Sequence, residues 1–208
     1  MNFTNNLAGK ITRGDNGWII LCLILLLPAL FINLGLMPFT SDEPIRGMVA
    51  FDMLQEGNLI VPMMKGEFYY NKPPLYNYIL SGILSITHSQ PELLLRLPAV
   101  IALLGFFFTI KKYVTKHFDA ITGWIAAFLF ITCGRILFWD SLLGLIDILF
   151  SWLTFIAFTV ILDGARENRL LKVFLISYLI AAAGVLMKGM PSIAFQGITL
   201  LTVFIALR

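Results

Sequence analysis

A few charged side chains stand alone inside or at the ends of long apolar runs. Asp147 interrupts the run SLLGLIDILFSWLTFIAFTVIL, Lys188 follows VFLISYLIAAAGVLM, and Arg135 follows WIAAFLFITCG. A charge in the hydrocarbon of a membrane costs roughly 3 kcal/mol on insertion scales, so such residues normally face a partner or an aqueous cavity. Their positions therefore indicate function.

A second group of charges lies in one segment between two apolar runs: Asp42, Glu43, Arg46 and Lys72. Cations beside apolar helices suit an anionic headgroup, since positive charge and N–H donors meet the phosphate while the lipid tail stays in the membrane. A carboxylate can act as a general base. Together these residue types indicate transfer of a group from a lipid phosphate to an acceptor hydroxyl.

The composition decides the class of protein. The 208 residues are 59% hydrophobic and 13% charged, with a mean hydropathy of +0.87. A soluble domain carries about 25% charged residues, so a water-soluble protein is excluded. The net charge of +3 is too small and too dispersed for nucleic-acid binding. Cys22 and Cys133 lie in apolar runs, which predicts buried thiols.

The elements that must position the charges are apolar helices. A membrane-spanning helix needs about 20 predominantly apolar residues. The fold is therefore predicted to be all-α, a polytopic helical membrane protein. We predict six spans, joined by charged turns such as KKYVTKHFD and DGARENRLLK, over residues 18–36, 93–110, 120–139, 141–162, 173–188 and 192–207.

The apolar segment 75–88 is shorter than a span and carries several polar side chains. When it is kept on the membrane surface, most Lys and Arg residues near span ends fall on the side of the N-terminus, as the preference of basic residues for the cytoplasm requires. We therefore predict an interfacial helix at 75–88 with Tyr76 and Tyr78 at the headgroup level. The N-terminus is then cytoplasmic, and residues 37–91 form a first external loop.

A loop of this length is usually functional. The sequence Ser41-Asp42-Glu43-Pro44, followed by a partly helical apolar stripe, predicts a juxtamembrane helix that ends near Gly57. Extended chain with proline breakers is predicted from there to Pro74. The polar residues concentrate on this side, which predicts a site that opens at the outer leaflet.

Four ordered motifs occur along the chain: Asp42-Glu43, Met53-Leu54 through Pro62, Lys72-Pro73-Pro74-Leu75, and Arg96-Leu97-Pro98. With these motifs the chain resembles the N-terminal region of GT-C glycosyltransferases that use a polyprenyl-phosphate sugar. It is similar to the protein O-mannosyltransferase type and to the bacterial type that transfers aminoarabinose to lipid A. The similarity continues through Asp147, in the position of an LxD motif, and through Lys188-Gly189, which is similar to a KG motif.

The resemblance implies a role for each matching residue. Asp42 corresponds to the catalytic acidic residue that positions or deprotonates the acceptor while the anomeric carbon is attacked with inversion. Glu43 and Arg46 would orient the acceptor or the donor phosphate. Lys72 and Lys188 would stabilise the lipid-phosphate leaving group.

Three further positions complete this comparison. Asp147 corresponds to a second acidic residue that lines the cavity, and Arg96 is predicted to be a structural anchor. Asn71 stands where the lipid A transferase type has a glutamate that takes part in metal binding. Because an amide is a poorer cation ligand than a carboxylate, a divalent metal is disfavoured, and no other cofactor is implied.

Family members are longer, so residues 1–208 are interpreted as a single transmembrane domain, the N-terminal part of a larger enzyme.

Structural roles for the same residues stay open. Asp42 can simply cap the juxtamembrane helix, and Lys72 can anchor the loop at the interface beside tyrosines. Lys188 can be an ordinary charge at the end of a span. Asp147 can pair with Arg135 to stabilise the fold.

Two functions from different classes follow. The first is a glycosyltransferase of the cell's inner (plasma) membrane that moves a sugar from a polyprenyl-phosphate donor to a lipid, glycan or protein acceptor at the outer face. The second is a non-catalytic lipid-binding or transporter subunit. Loss of transfer on Asp42→Asn with normal membrane insertion is expected of the first, and donor binding without turnover is expected of the second.

Overall fold

The computed structural model describes residues 17–87 and 91–207. In chain order its elements are α1 (Gly17–Phe31), α2 (Glu43–Glu56), β1 (Met63–Met64), β2 (Glu67–Phe68), α3 (Leu75–Leu84), α4 (Pro91–His117), α5 (Ala120–Ile131), a π-helical turn (Ile136–Asp140), α6 (Ile146–Arg166), α7 (Leu170–Lys188) and α8 (Met190–Ala206). The predicted helical membrane fold is confirmed.

Each of the six predicted spans contains a helix, but the helices differ in length. Within the described residues, three are long and apolar enough to cross a membrane: Glu92–His117, Ile146–Arg166 and Leu170–Lys188, with mean hydropathies of 2.3, 1.9 and 2.2. The apolar helices α1, α3, α5 and α8 have 10–17 residues. Because α5 in a predicted span is almost as short as α3, the interfacial location of 75–88 stays a prediction.

The predicted spans 120–139 and 141–162 are separated by a longer break than the sequence indicated. Helix α5 ends at Ile131, the π-helical turn follows, and α6 begins only at Ile146. Gly134 weakens helix formation in this stretch. Gly144 is held outside a helix by side chains from other elements, which the sequence alone does not reveal.

The turn predicted at KKYVTKHFD is instead helical almost to its end. Helix α4 continues to His117, because this stretch contains neither glycine nor proline. Asp119 then starts α5, where its carboxylate accepts hydrogen bonds from the Ile121 and Thr122 amides at 2.9 Å.

The juxtamembrane helix α2 begins and ends as predicted. Pro44 lies in its first turn, and Gly57 ends it in the left-handed conformation. The segment predicted to be extended folds partly into the antiparallel hairpin β1–β2, in which Met63 pairs with Phe68. Lys65 and Gly66 at its tip both have positive φ, 56° and 82°, which the tightest hairpin turns require.

Three buried clusters hold the described helices together, and the smallest joins α6, α7 and α8 through Ile161, Val173 and Val203. The other two are larger. One joins α1, α4, α5 and α6 around Leu30, Leu103 and Phe107. The other packs α2 and α3 against α4, α6 and α7 through Ala50, Tyr76, Leu80, Leu95, Ile146, Phe150 and Met187. The described part of the predicted first external loop therefore rests on the end of the bundle where α4 and α6 begin and α7 ends.

Two predictions about single side chains are wrong. Tyr76 is fully buried rather than at the headgroup level, because its ring fills the second cluster, while Tyr78 is exposed. Cys133 is exposed and Cys22 only half-buried, because their segments turn these side chains away from the core.

Candidate functional site

The predicted site residues come from four places that meet at this end of the bundle: the start of α2 (Asp42, Glu43, Arg46), the segment before α3 (Lys72), the first turn of α6 (Asp147) and the last residue of α7 (Lys188). Of these residues, only Glu43 belongs to the buried hydrogen-bonded cluster described next. Asp147 and Lys188 form a separate, partly exposed ion pair. Asp42, Arg46 and Lys72 lie outside both groups.

Glu43 and Arg96 form a completely buried ion pair at the centre of this cluster. The guanidinium Nε donates to Glu43 Oε1 at 2.8 Å and Nη2 donates to Oε2 at 3.0 Å, so the pair is bidentate. Arg96 also donates to the carbonyls of Leu34, Met37 and Pro38. It therefore fixes the chain between α1 and α2, as expected of a structural anchor.

The Glu43 carboxylate is fully occupied by the protein. Besides the two bonds from Arg96, Oε2 accepts from the Thr40 amide at 2.9 Å and Oε1 accepts from the Gly144 amide at 2.7 Å. A carboxylate has about four lone-pair positions, and all are used here. A direct contact of Glu43 with substrate stays a prediction that would require one of these bonds to open.

Tyr76 completes the cluster. Its hydroxyl donates to the Gly144 carbonyl at 3.0 Å. Burial raises the pKa of the Tyr76 phenol, and the nearby charges of Arg46, Glu43 and Asp147 act on it with smaller effects. Tyr76 therefore stays protonated and lies between residues of α2 and α6.

Asp147 and Lys188 are joined by a short hydrogen-bonded ion pair between the start of α6 and the end of α7. The Lys188 ammonium also lies 5.1 Å from the centre of the Phe150 ring. The alternative pairing of Asp147 with Arg135 is wrong, because Arg135 pairs with Asp140 at 3.1 Å within the turn that they share.

Arg46 is almost fully buried but has no carboxylate partner among residues 17–87 and 91–207. Its Nη1 is shielded from solvent and has no hydrogen-bond partner in that part of the chain. A buried cation without a partner is costly, so this position favours an anion. Asn77 on α3 is a second buried polar side chain whose amide atoms have no described partner.

Asp42 is exposed at the position that precedes α2. Its side chain forms no capping hydrogen bond, so the purely structural interpretation of Asp42 as a helix cap is not supported by its contacts. Glu43, the first residue of α2, instead reaches back to the Thr40 amide and so fixes the chain that enters the helix. The Asp42 carboxylate is thus free to meet a substrate.

Lys72 and Asn71 lie just before α3. Lys72 is half-buried and Asn71 is exposed, and the described residues offer Lys72 no ion pair. The part of the chain that the structure covers contains no group of three His, Cys, Asp or Glu side chains arranged for a metal ion. Asn71 and the fully bonded Glu43 do not form a fitting ligand set for a divalent cation.

Sequence reasoning missed Tyr76 and Gly144 as parts of this cluster. A glycine inside the run LLGLID is a usable signal, since an isolated glycine among large apolar residues indicates close backbone approach. A Cβ at Gly144 would lie 2.6 Å from the Leu95 carbonyl oxygen, which explains the glycine. Tyr76 has no comparable signal, because Tyr78 on the same helix looks equally suited to an interface.

The Glu43 carboxyl gives a pH prediction. Burial raises its pKa, but hydrogen bonds from Arg96, Gly144 and Thr40 outweigh burial and leave the pKa below the ordinary value of 4.5. A carboxyl whose pKa falls on folding stabilises the fold above its unfolded pKa, and this contribution is lost as the pH falls through the folded pKa.

We therefore expect the contribution of Glu43 to be present above about pH 4.5 and lost in stronger acid. Thermal unfolding of detergent-solubilised protein at neutral and acidic pH measures it. Acidification should lower the midpoint further in the wild type than in Glu43→Gln. Equal losses in the two proteins would contradict the prediction.

Comparison with known families shows to which family the chain is related. The family model described as dolichyl-phosphate-mannose-protein mannosyltransferase matches residues 71–208, more than half of the chain. The chain belongs to this family. The resemblance to polyprenyl-phosphate-dependent membrane glycosyltransferases, expected from the four motifs, is thereby confirmed.

Relatives of this mannosyltransferase family member are longer. It is 25% identical to an undecaprenyl phosphate-alpha-4-amino-4-deoxy-L-arabinose arabinosyl transferase of Shewanella sediminis, over 83% of this chain and 33% of the relative. Two crystal structures of ArnT from Cupriavidus metallidurans share its fold at 16% identity. The apo form has a TM-score of 0.78 over 91% of this chain, and the form bound to undecaprenyl phosphate has 0.80 over 93%. The chain spans about a third of each relative's length.

The KG motif of this family member has a structural requirement of its own. Gly189 joins α7 to α8 with φ 77° and ψ −139°, close to a region that only glycine occupies readily. We expect Gly189→Ala to lower the free energy of unfolding by about 1–3 kcal/mol and to displace Lys188 from Asp147. Denaturant unfolding measures the loss. Gly197→Ala within α8 is the control, because no atom lies within 4 Å of its added Cβ, and a similar loss there would contradict the explanation.

Proposed function

We propose that this chain is part of an integral membrane glycosyltransferase that uses a polyprenyl-phosphate sugar as donor. The balance of charge among the site residues carries the proposal. Glu43 is neutralised by Arg96 and Asp147 by Lys188, whereas Arg46 has no carboxylate partner in the described chain. The phosphate of a lipid donor would supply the missing anion, and its tail would stay among the apolar helices.

The proposed reaction is an inverting displacement. The acceptor hydroxyl oxygen forms a bond to the anomeric carbon while the bond from that carbon to the phosphate oxygen breaks. Polyprenyl phosphate leaves with the bonding electrons, and Asp42 takes the hydroxyl proton. Arg46, Lys72 and Lys188 stabilise the charge that develops on the leaving phosphate, and Asp147 orients Lys188.

The names of the relatives support the choice of donor. The relative from Shewanella is named for an undecaprenyl-phosphate aminoarabinose donor, and the ArnT of Cupriavidus binds undecaprenyl phosphate. We extend this lipid class to the present chain. The acceptor is a hydroxyl of a lipid, glycan or protein.

The location of the site is also part of the proposal. We place the protein in the inner (plasma) membrane, with its N-terminus in the cytoplasm and the first external loop at the outer face. The basic residues near the opposite ends of the helices, among them Lys111, Lys112 and Lys116, support this orientation.

Sugar transfer in membranes that contain the complete protein tests the function. Undecaprenyl-phosphate-linked sugars are supplied with membrane acceptors, and the product is identified by mass spectrometry. Lys188→Gln should lower the rate about a hundredfold or more, since it removes a cation at the leaving group. Arg135→Gln is the matched control, because Arg135 is also ion-paired next to a helical segment, but its partner is Asp140 rather than a predicted site residue.

Two results would overturn the proposal. Equal rates for Lys188→Gln and Arg135→Gln would remove the proposed role of Lys188 at the leaving group. Saturable binding of the lipid-linked sugar without turnover, with every acceptor class supplied, would instead support the non-catalytic lipid-binding subunit.

A further inference from the structure

Asp147 projects from a helix start that lacks the usual side-chain cap. Helix α6 begins at Ile146, and Leu145 at its N-cap position supplies no side-chain hydrogen bond. The preceding residues form the non-helical segment 141–145. The direction of the first turn of α6 must therefore be fixed by other contacts.

Gly144 provides those contacts, because both of its backbone polar groups bond to the first external loop. Its N–H donates to Glu43 on α2 at 2.7 Å, and its carbonyl accepts from Tyr76 on α3 at 3.0 Å. It also packs against the Leu95 backbone of α4, where no Cβ could fit. One backbone unit is thus held from three helices.

This arrangement links the two acidic residues of the site. Glu43 is adjacent in sequence to Asp42, and Gly144 lies three residues before Asp147. Glu43 is itself held rigidly by Arg96. Any movement of the start of α2 relative to α6 would break the buried bonds at Gly144.

We propose that Glu43 and Tyr76 are positioning residues that clamp Gly144 and thereby set the placement of Asp147 relative to Asp42. Neither needs to touch substrate in this role: all acceptor positions of Glu43 are filled, and the one hydroxyl of Tyr76 is used. The effect of the clamp on transfer rests on the proposed function, whereas its effect on the structure does not.

Amide hydrogen exchange of the complete protein in lipid nanodiscs tests the clamp without any activity assay. Tyr76→Phe keeps the buried ring and removes only the donor to Gly144, so the amides of residues 141–147 should exchange roughly fivefold faster, the factor that corresponds to one typical hydrogen bond. Tyr78→Phe on the same helix is the matched control, since it removes a hydroxyl that donates to the Leu59 carbonyl and not to Gly144. Its exchange in 141–147 should equal that of the wild type.

Unchanged exchange in Tyr76→Phe, or the same increase in Tyr78→Phe, would overturn the clamp. The wild type gives a second test that needs no variant: the Gly144 amide should be protected like the amides inside α6, and rapid exchange there would also overturn it.

Transfer kinetics separate this inference from the function on which it rests. Tyr76→Phe should lower kcat about tenfold or more and leave KM for the donor within about twofold, because misplaced groups slow the reaction more than they weaken binding. Tyr78→Phe should retain both values. Complete inactivity of the wild type would refute the proposed function and leave the exchange result standing, whereas wild-type kcat in Tyr76→Phe would refute the positioning role.

Discussion

Asp42→Asn is expected to lower the rate of sugar transfer by roughly 10²–10⁴-fold, the usual contribution of a general base. Asparagine has nearly the same shape but cannot accept the proton of the acceptor hydroxyl. Asp42 is exposed and makes no capping hydrogen bond, so the substitution removes no hydrogen bond or ion pair that the described residues show. Initial rates of transfer in membranes, normalised to the amount of inserted protein, measure the effect.

The matched control is Glu56→Gln, which neutralises an exposed carboxylate at the other end of α2. It should keep the wild-type rate and the wild-type level of insertion. A fully active Asp42→Asn protein would remove Asp42 from the reaction. A Glu56→Gln protein that is equally inactive would show that the loss comes from removing a negative charge near α2 rather than from removing the general base.

Arg96→Met is expected to destabilise the protein by about 3–5 kcal/mol, enough to remove much of the folded population. The variant leaves the Glu43 carboxylate buried without its counter-charge, and it frees three backbone carbonyls between α1 and α2. Unfolding in detergent, or the yield of monodisperse protein where unfolding is irreversible, measures the loss.

Arg135→Met is the control for this substitution, because the side chain of Arg135 is 68% exposed in its pair with Asp140. An exposed pair contributes only about 0–1 kcal/mol. Adding Glu43→Gln to Arg96→Met should restore part of the stability, since the double variant buries no unpaired charge. If the Arg96→Met protein is as stable as the Arg135→Met protein, Arg96 does not act as a structural anchor.

Local chemistry was sufficient to predict much of the fold. The apolar composition required helices in a membrane, and the Pro44 and Gly57 signals placed both ends of α2. The length of the break between α5 and α6 was underestimated because contacts distant in sequence, rather than local chemistry, determine it. Residues 141–145 are apolar enough to be helical, and what holds them open is a set of hydrogen bonds from Glu43 and Tyr76, distant in sequence.

The charged residues of the site were also only partly predictable from local sequence. The sequence identified Asp147 and Lys188 as unusual, but not as partners. Their pairing follows from an antiparallel α6–α7 hairpin with a short turn, which brings the start of one helix to the end of the other. That geometry was available from the predicted spans. The burial of Arg46 was not, because it depends on how α2 and α3 pack on the bundle.

The bonds of Glu43 have a consequence for biosynthesis. A ribosome makes Glu43 53 residues before Arg96 and 101 residues before Gly144. Until both partners have emerged, this carboxylate has no protein counter-charge and is more stable in water than between helices. The first loop therefore cannot settle onto the bundle while the chain is being inserted helix by helix. It docks late, after the translocon has released α4 and the start of α6, so defects in these later segments should appear as misplacement of the earlier loop.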